Sequence, residues 1–136
     1  MKVIARRRQH DGFQHDVLVR QHAVPVDEPA EQGGTDTSPN PEEMLAVSLA
    51  SCTAITMEMY AQRKGWEVGA VEVDCDYQAA ERGCPTRFRL ILRFPGHLSD
   101  EQVERLRTIA AKCPIHRVLD GEVMFDERVE VMSEVP

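Results

Sequence analysis

The sequence predicts an α+β fold, a mainly antiparallel β-sheet wrapped around one long central helix. Three observations predict it. A helical stretch from Pro41 to Lys64 carries both a start and a stop signal; period-two alternation of apolar and polar residues appears on both sides of it; and the element order reads β-β-β-α-β-β-α-α-β. The 136 residues suit a single domain, 1–136, long enough to bury a core without metal or disulfide staples. No internal repeat or low-complexity tract interrupts it.

The first strands span Lys2 to Arg8 and Phe13 to Arg20 and flank Asp11-Gly12, a pair suited to a type I′ hairpin turn. A third extended piece, Ala23 to Val26, ends at Asp27-Glu28-Pro29. The stretch from there to Pro39 holds Gly33-Gly34 and no large apolar residue. A loop of that length is a lid, a binding loop or a plain surface connection.

Asn40 is a suitable N-cap for the central helix, Pro41 fits the first helical position and Glu43 completes a capping box. Glu42 and Glu43 oppose the positive end of the helix dipole. Leu45, Leu49, Cys52, Ile55 and Met59 recur at spacings of three and four, and Gly65 reads as the stop. Val47, Ala50, Ala54 and Ala61 leave the other faces small or apolar as well. A helix about 36 Å long and apolar on most sides is buried on most sides, which in a chain of this size implies a partner subunit.

Val71, Val73, Cys75 and Tyr77 alternate with acidic residues, and Phe88, Leu90, Leu92 and Phe94 alternate with arginines at 87, 89 and 93. The acidic outer face of the first strand is therefore expected to meet the basic outer face of the second. Ser99 and Gln102 form a second capping box, with Leu98 and Val103 as its staple, ahead of a helix that buries Val103, Leu106, Ile109 and Ala110. Cys113-Pro114 interrupts this helix and begins a short third one, which reaches Leu119. Val123, Phe125, Val129 and Val131 predict a last strand.

Composition excludes some functions. A formal net charge of −7 argues against a nucleic-acid or anionic-membrane surface, and Arg6-Arg7-Arg8 reads as a solvated strand end. No signal-peptide pattern opens the chain and no run of ~18 consecutive apolar residues occurs, so a cytoplasmic protein is expected. The four cysteines are then free unless used.

Cys52 lies on the apolar stripe of the long helix, where a cysteine is ordinarily a small core residue. Cys113 differs, because Pro114 makes it the N-cap or first residue of a helix whose N–H groups and dipole favour a thiolate. His116 follows on the same face; it is either a partly exposed helix residue or, when protonated, a further influence on the thiol. With no Cys-x-x-Cys pair, Cys113-x-x-His116 is a weak ligand set, and no metal or other cofactor is expected. Cys75 and Cys84 read as packing and as incidental loop exposure.

Gly33-Gly34-x-Asp36-x-Ser38-Pro39-x-Pro41-Glu42-Glu43-Met44-Leu45, running into Leu49-Ala50-Ser51-Cys52-Thr53-Ala54, resembles the central helix signature of the OsmC/organic hydroperoxide resistance family. Met57 to Trp66, and Leu98-Ser99 through Cys113-Pro114-Ile115-His116, extend the resemblance to nearly the whole chain, and Asp27-Glu28-Pro29 is similar to the OsmC-like branch. The resemblance implies an OsmC-like intertwined homodimer with both active sites at the interface. It implies a thiol peroxidase cycle on small organic hydroperoxides, recycled by an external dithiol reductant, with Cys52 as the peroxidatic and Cys113 as the resolving cysteine. It further implies a glutamate, matched by Glu42, that orients an arginine beside the reactive thiol. Arg8 and Arg20 flank the relevant hairpin, and Arg20, on the strand leading towards the helix, is preferred. Glu42 lies ten residues before Cys52, roughly 15 Å along one helix, so it is expected to serve the partner's site or to act through the arginine. The alternative is a non-enzymatic stress-related or small apolar ligand-binding protein on the same fold.

Overall fold

The structure, a computed structural model, describes residues 1–8 and 12–133. Three strands, β1 (Val3–Arg7), β2 (His15–Val19) and β3 (His22–Val26), form one antiparallel sheet in sequence order. In its register Ala5 faces Val17, and Val17 faces Val24. Of the expected Asp11-Gly12 turn, Asp11 lies outside the described residues. A second antiparallel sheet pairs β4 (Glu72–Gln78) with β5 (Arg87–Arg93). Its inner face pairs Val73 with Leu92, Cys75 with Leu90 and Tyr77 with Phe88. On its outer face the expected charge match appears, with Arg93 2.7 Å from Asp74.

The long helix, α1, spans Pro41–Lys64. Asn40 and Glu43 form the reciprocal capping box, at 2.8 and 3.0 Å. Gly65 ends the helix with φ 71°, a left-handed conformation that glycine adopts without a Cβ clash. The second helix, α2 (Asp100–Ala110), carries its own box from Ser99 and Gln102. The third, α3 (Pro114–Leu119), starts at Cys113.

The fold class is as expected, with one refinement. The strands divide into two separate sheets, and α1 packs chiefly on β4, α2 and α3. Met57, Tyr60 and Ala61 of α1 meet Leu106, Ile109 and Ala110 of α2 and Val68 in the main core. Tyr60 ties the two helices, because its hydroxyl accepts from Arg105 Nε at 2.8 Å while its ring meets Trp66 edge-on at 5.7 Å.

Two expectations are corrected. The buried face of α1 is Leu49, Thr53, Met57, Tyr60 and Ala61. In the expected stripe of Leu45, Leu49, Cys52, Ile55 and Met59, only Leu49 is fully buried, and Met59 is 58% exposed. A helix that is apolar all round has no single periodic face, so spacing cannot select the one its own chain covers. The last strand is also absent: residues 122–133 form no ladder, and Phe125, Val129 and Val131 are exposed. Alternation says which side chains share a face, but a strand also needs an edge to pair with.

The loop from Asp27 to Pro39 is folded rather than open. It contains a single 3-10 turn, Ala30–Gln32, and winds around the Asp27 carboxylate, which is 1% exposed. Glu28 N–H donates to Oδ1 at 2.8 Å, and the hydroxyls of Thr35 and Thr37 donate to Oδ2 at 2.7 and 2.9 Å, with both residues' N–H groups at 3.3 and 3.1 Å. Gln14 then donates to Thr35 Oγ1, which ties the loop to the start of β2. Gly34 is required where it stands, since a Cβ there would lie 1.9 Å from the Glu28 carbonyl oxygen. Burial opposes the charge on Asp27, but the donors from Thr35, Thr37 and Glu28 outweigh it and hold the carboxyl well below the usual carboxylate range.

A carboxyl depressed in the folded state stabilises above its unfolded pKa, about 3.9, and that stabilisation is lost as pH falls towards the folded value. The melting temperature of wild type is therefore expected to fall more steeply than that of Asp27→Asn between about pH 5 and pH 2.5. Parallel curves in a thermal scan across that range would remove this role from Asp27.

Candidate functional site

The site is assembled where the N-terminus of α3 meets the middle of α1. Pro114 occupies the first position of α3 and has no N–H, so the first free backbone donors are those of Ile115 and His116. Cys113 is the N-cap, and its sulfur accepts from His116 N–H at 3.4 Å. Cys52 projects from α1 towards the same point. Its sulfur interacts with Thr56 Oγ1 at 3.9 Å, with the Ile115 N–H and with the Cys113 thiol. The two sulfurs are close enough for each to act on the ionisation of the other.

The two thiols are unequal. Cys113 is 0% exposed, whereas Cys52 is half-buried. Burial works against ionisation of Cys52, yet hydrogen bonds from Cys113, Ile115 N–H and Thr56 outweigh it and bring its pKa below that of a free cysteine. Burial pushes Cys113 up, and the neighbouring Cys52 sulfur pushes it further; His116 N–H, Ile115 N–H and Thr53 offset this only in part. The local sequence reading favours Cys113 as the thiolate and Cys52 as packing. The structure reverses that order, because the helix N–H groups are shared between both sulfurs while Cys113 alone is sealed from water. Of the two readings of His116, the structure fits the partly exposed helix residue. His116 acts on Cys113 through its main chain, while its ring Nδ1 bonds the Ala111 carbonyl at 3.0 Å.

Thr53, Thr56 and the Ile115 N–H are site groups that the sequence reading missed. The available signals were Thr56 one helical turn after Cys52, and the proline that makes residues 115 and 116 the first donors of α3. Thr53 is buried and donates to Leu49 O at 2.7 Å.

The other two expected site residues stand elsewhere. Glu42 is exposed in the first turn of α1 and lies near Tyr77; burial raises the Tyr77 pKa and the Glu42 carboxylate raises it further. Arg20 occupies the β2–β3 turn with a left-handed φ of 52° and is exposed. Neither is among the groups acting on the thiols of its own chain, and no cation is. Glu42 instead lines a cleft of about 1030 Å³ between the β1–β3 sheet and the start of α1, which His15, Val17, Val26 and Met44 also line. Cys75 faces inward from β4, where burial and then Asp76 raise its pKa, and Cys84 is exposed in the β4–β5 hairpin. Among the described residues, no cluster of three or more His, Cys, Asp or Glu side chains could hold a metal ion.

The pH dependence of alkylation tests the inequality. Because the Cys52 pKa is lowered and the Cys113 pKa raised, iodoacetamide near neutral pH is expected to label Cys52 first, and its labelling should persist to lower pH than for a free cysteine. Peptide mass spectrometry that found Cys113 labelled at an equal or greater rate would contradict the assignment.

Residues 34–128 match the family described as OsmC-like protein. An uncharacterized protein of Haloferax volcanii is 26% identical over 96 residues, which is 69% of this chain and 73% of that protein. An OsmC-like protein from Mycoplasma pneumoniae superposes with a TM-score of 0.71 at 16% identity, over 88% of this chain and 86% of its own. The organic hydroperoxide resistance protein OhrB of Bacillus subtilis gives 0.59 at 21% identity, over 88% and 90%. At these identities the solved structures establish a shared fold.

Proposed function

The chain belongs to the OsmC-like protein family, and from that premise we propose that it is a cytoplasmic thiol peroxidase of the oxidative stress response. It reduces small organic hydroperoxides through a Cys52/Cys113 dithiol–disulfide cycle. The observation that carries this reading is the pair of neighbouring, unequal thiols, one partly open with a lowered pKa and one sealed with a raised pKa. The description of a structurally similar protein as an organic hydroperoxide resistance protein supports the substrate class.

The Cys52 thiolate attacks the terminal oxygen of ROOH; an S–O bond forms, the O–O bond breaks and the electron pair leaves with RO⁻. The Cys52 sulfenic acid then condenses with the Cys113 thiol to give a disulfide and water. An external dithiol reduces that disulfide by exchange. Holding Cys113 protonated until Cys52 is oxidised suits this order, because the first step needs a single thiolate.

The working unit is a homodimer. Val47, Ile55 and Met59 on α1, together with Phe125, Val129 and Val131 near the C-terminus, form exposed apolar surface of the kind that another copy would bury. Cys52 borders this uncovered side of α1, so the partner would complete its surroundings. Glu42 and Arg20 would act there across the interface. Neither nucleic acid nor membrane is a partner in this reading.

Two measurements test it. After stoichiometric cumene hydroperoxide, mass spectrometry is expected to find a Cys52–Cys113 disulfide in wild type and over-oxidised Cys52 in Cys113→Ser; a free Cys52 thiol after that treatment would refute the cycle. In analytical ultracentrifugation, wild type is expected to sediment as a dimer and Met59→Glu to shift towards monomer. A monomeric wild type would remove the shared site.

A further inference from the structure

We propose that α3 is a redox-operated cover over Cys113: it loosens when the Cys52–Cys113 disulfide forms, admits the external dithiol to the Cys113 sulfur, and closes again on reduction. The proposal rests on the peroxidase reading above, which supplies the disulfide. The recycling step needs a path, because Cys113 is 0% exposed in the reduced chain and an external thiolate must touch the sulfur it attacks.

The hold on α3 depends on sulfur. It is a six-residue helix with no fully buried side chain, below the ~12 residues at which even a favourable isolated helix becomes marginal. Pro114 removes one donor from its first turn. Of the two that follow, His116 N–H donates to Cys113 Sγ at 3.4 Å and Ile115 N–H acts on both sulfurs. Cys113 is therefore both the resolving thiol and the side-chain cap of the helix that hides it. Two ties do not involve sulfur. Arg117 N–H donates to the Cys113 carbonyl at 3.1 Å, and the His116 ring bonds the Ala111 carbonyl at 3.0 Å. They persist after oxidation and limit the opening to local fraying.

Oxidation removes the acceptors. Disulfide formation takes the charge from Cys52 and the proton from Cys113, and commits the Cys113 sulfur to Cys52 instead of the His116 N–H. The divalent sulfurs left behind are weak acceptors, so the donors at residues 115 and 116 lose their partners together. An unpartnered N–H is costly where water cannot reach it, and fraying of the first turn gives both groups to water. An external thiolate then attacks Cys113 Sγ. A new S–S bond forms there, and the electron pair of the old one leaves with Cys52, the thiol of lower pKa and the better leaving group. The second thiol of the reductant attacks its own sulfur in this mixed disulfide, expels Cys113 and passes its proton to it. The reductant has then lost two electrons, and α3 regains its cap.

Hydrogen–deuterium exchange mass spectrometry of the whole wild-type chain tests the cover. The disulfide is made with diamide, which takes two electrons and two protons from the thiol pair, and is mapped to Cys52–Cys113 by peptide analysis. Amides of residues 115–119 are expected to exchange about tenfold faster in the oxidised than in the reduced protein, the scale of a lost helix cap, while those of α2 are unchanged. No gain in α3, or an equal gain in α2, would overturn the proposal. A second arm gives the oxidised protein excess reduced glutathione and quenches early with N-ethylmaleimide. The mixed disulfide is expected on Cys113, with Cys52 alkylated; a mixed disulfide chiefly on Cys52 would also overturn it. Diamide bypasses the peroxide step, so the two readings fail separately. A Cys52 inert to cumene hydroperoxide, with the diamide disulfide still loosening α3, would sink the peroxidase reading and leave the cover standing. A protein in which diamide forms no Cys52–Cys113 bond would sink the cover.

Discussion

The rest of the structure depends on one constraint: α1 is apolar around most of its circumference, and its own chain covers only part of it. One side carries Leu49, Thr53, Met57, Tyr60 and Ala61 against β4, α2 and α3, while Val47, Ile55 and Met59 stay exposed. Cys52 lies at the border between these sides. That border position leaves its thiol partly open while neighbouring groups still reach it. A cysteine deeper in the covered side would have been sealed, as Cys113 is. One on the far side would have met neither Cys113 nor the N–H groups of α3.

Two elements deliver the second thiol. The core contact of Leu106, Ile109 and Ala110 with α1 fixes the end of α2 against the long helix. Pro114 then forces a new helix start within four residues of Ala110. The N–H groups of Ile115 and His116, which any helix start leaves without internal partners, find theirs in sulfur. A backbone requirement is thereby turned into an electrostatic bias between two chemically identical groups. Burial decides which of them gains, since the same donors cannot overcome full desolvation at Cys113.

At the opposite end of α1, the Asp27 carboxylate organises the loop that enters the helix. Asp27 N–H bonds the Pro39 carbonyl at 3.1 Å, immediately before the Asn40 cap, so the helix start is held from both the loop and the capping box. The same loop forms a wall of the cleft that contains Glu42 and His15. A polar, glycine-rich stretch is in this way given a defined fold. Its order comes from one desolvated charge whose oxygens are saturated by donors, rather than from an apolar core of its own.

The sequence by itself determined the α+β class, both capped helices, the alternating strands with their charge match, and the presence of two cysteines at helical positions. Those features rest on local physics: a cap bonds within four residues, a proline removes one donor, and alternation sorts a strand's two faces. Only the tertiary structure decided which side of α1 is covered, which thiol is the more acidic, and that residues 122–133 remain unpaired. Each of these depends on what lies across a gap in space. A uniformly apolar helix does not specify its partner through its own periodicity. The pKa order of Cys52 and Cys113 is set by burial and by donors from another helix, and a strand exists only where some edge accepts it. Glu42 and Arg20 mark the limit of one chain, since the groups they would serve lie on neither the element nor the cleft to which their own backbone assigns them.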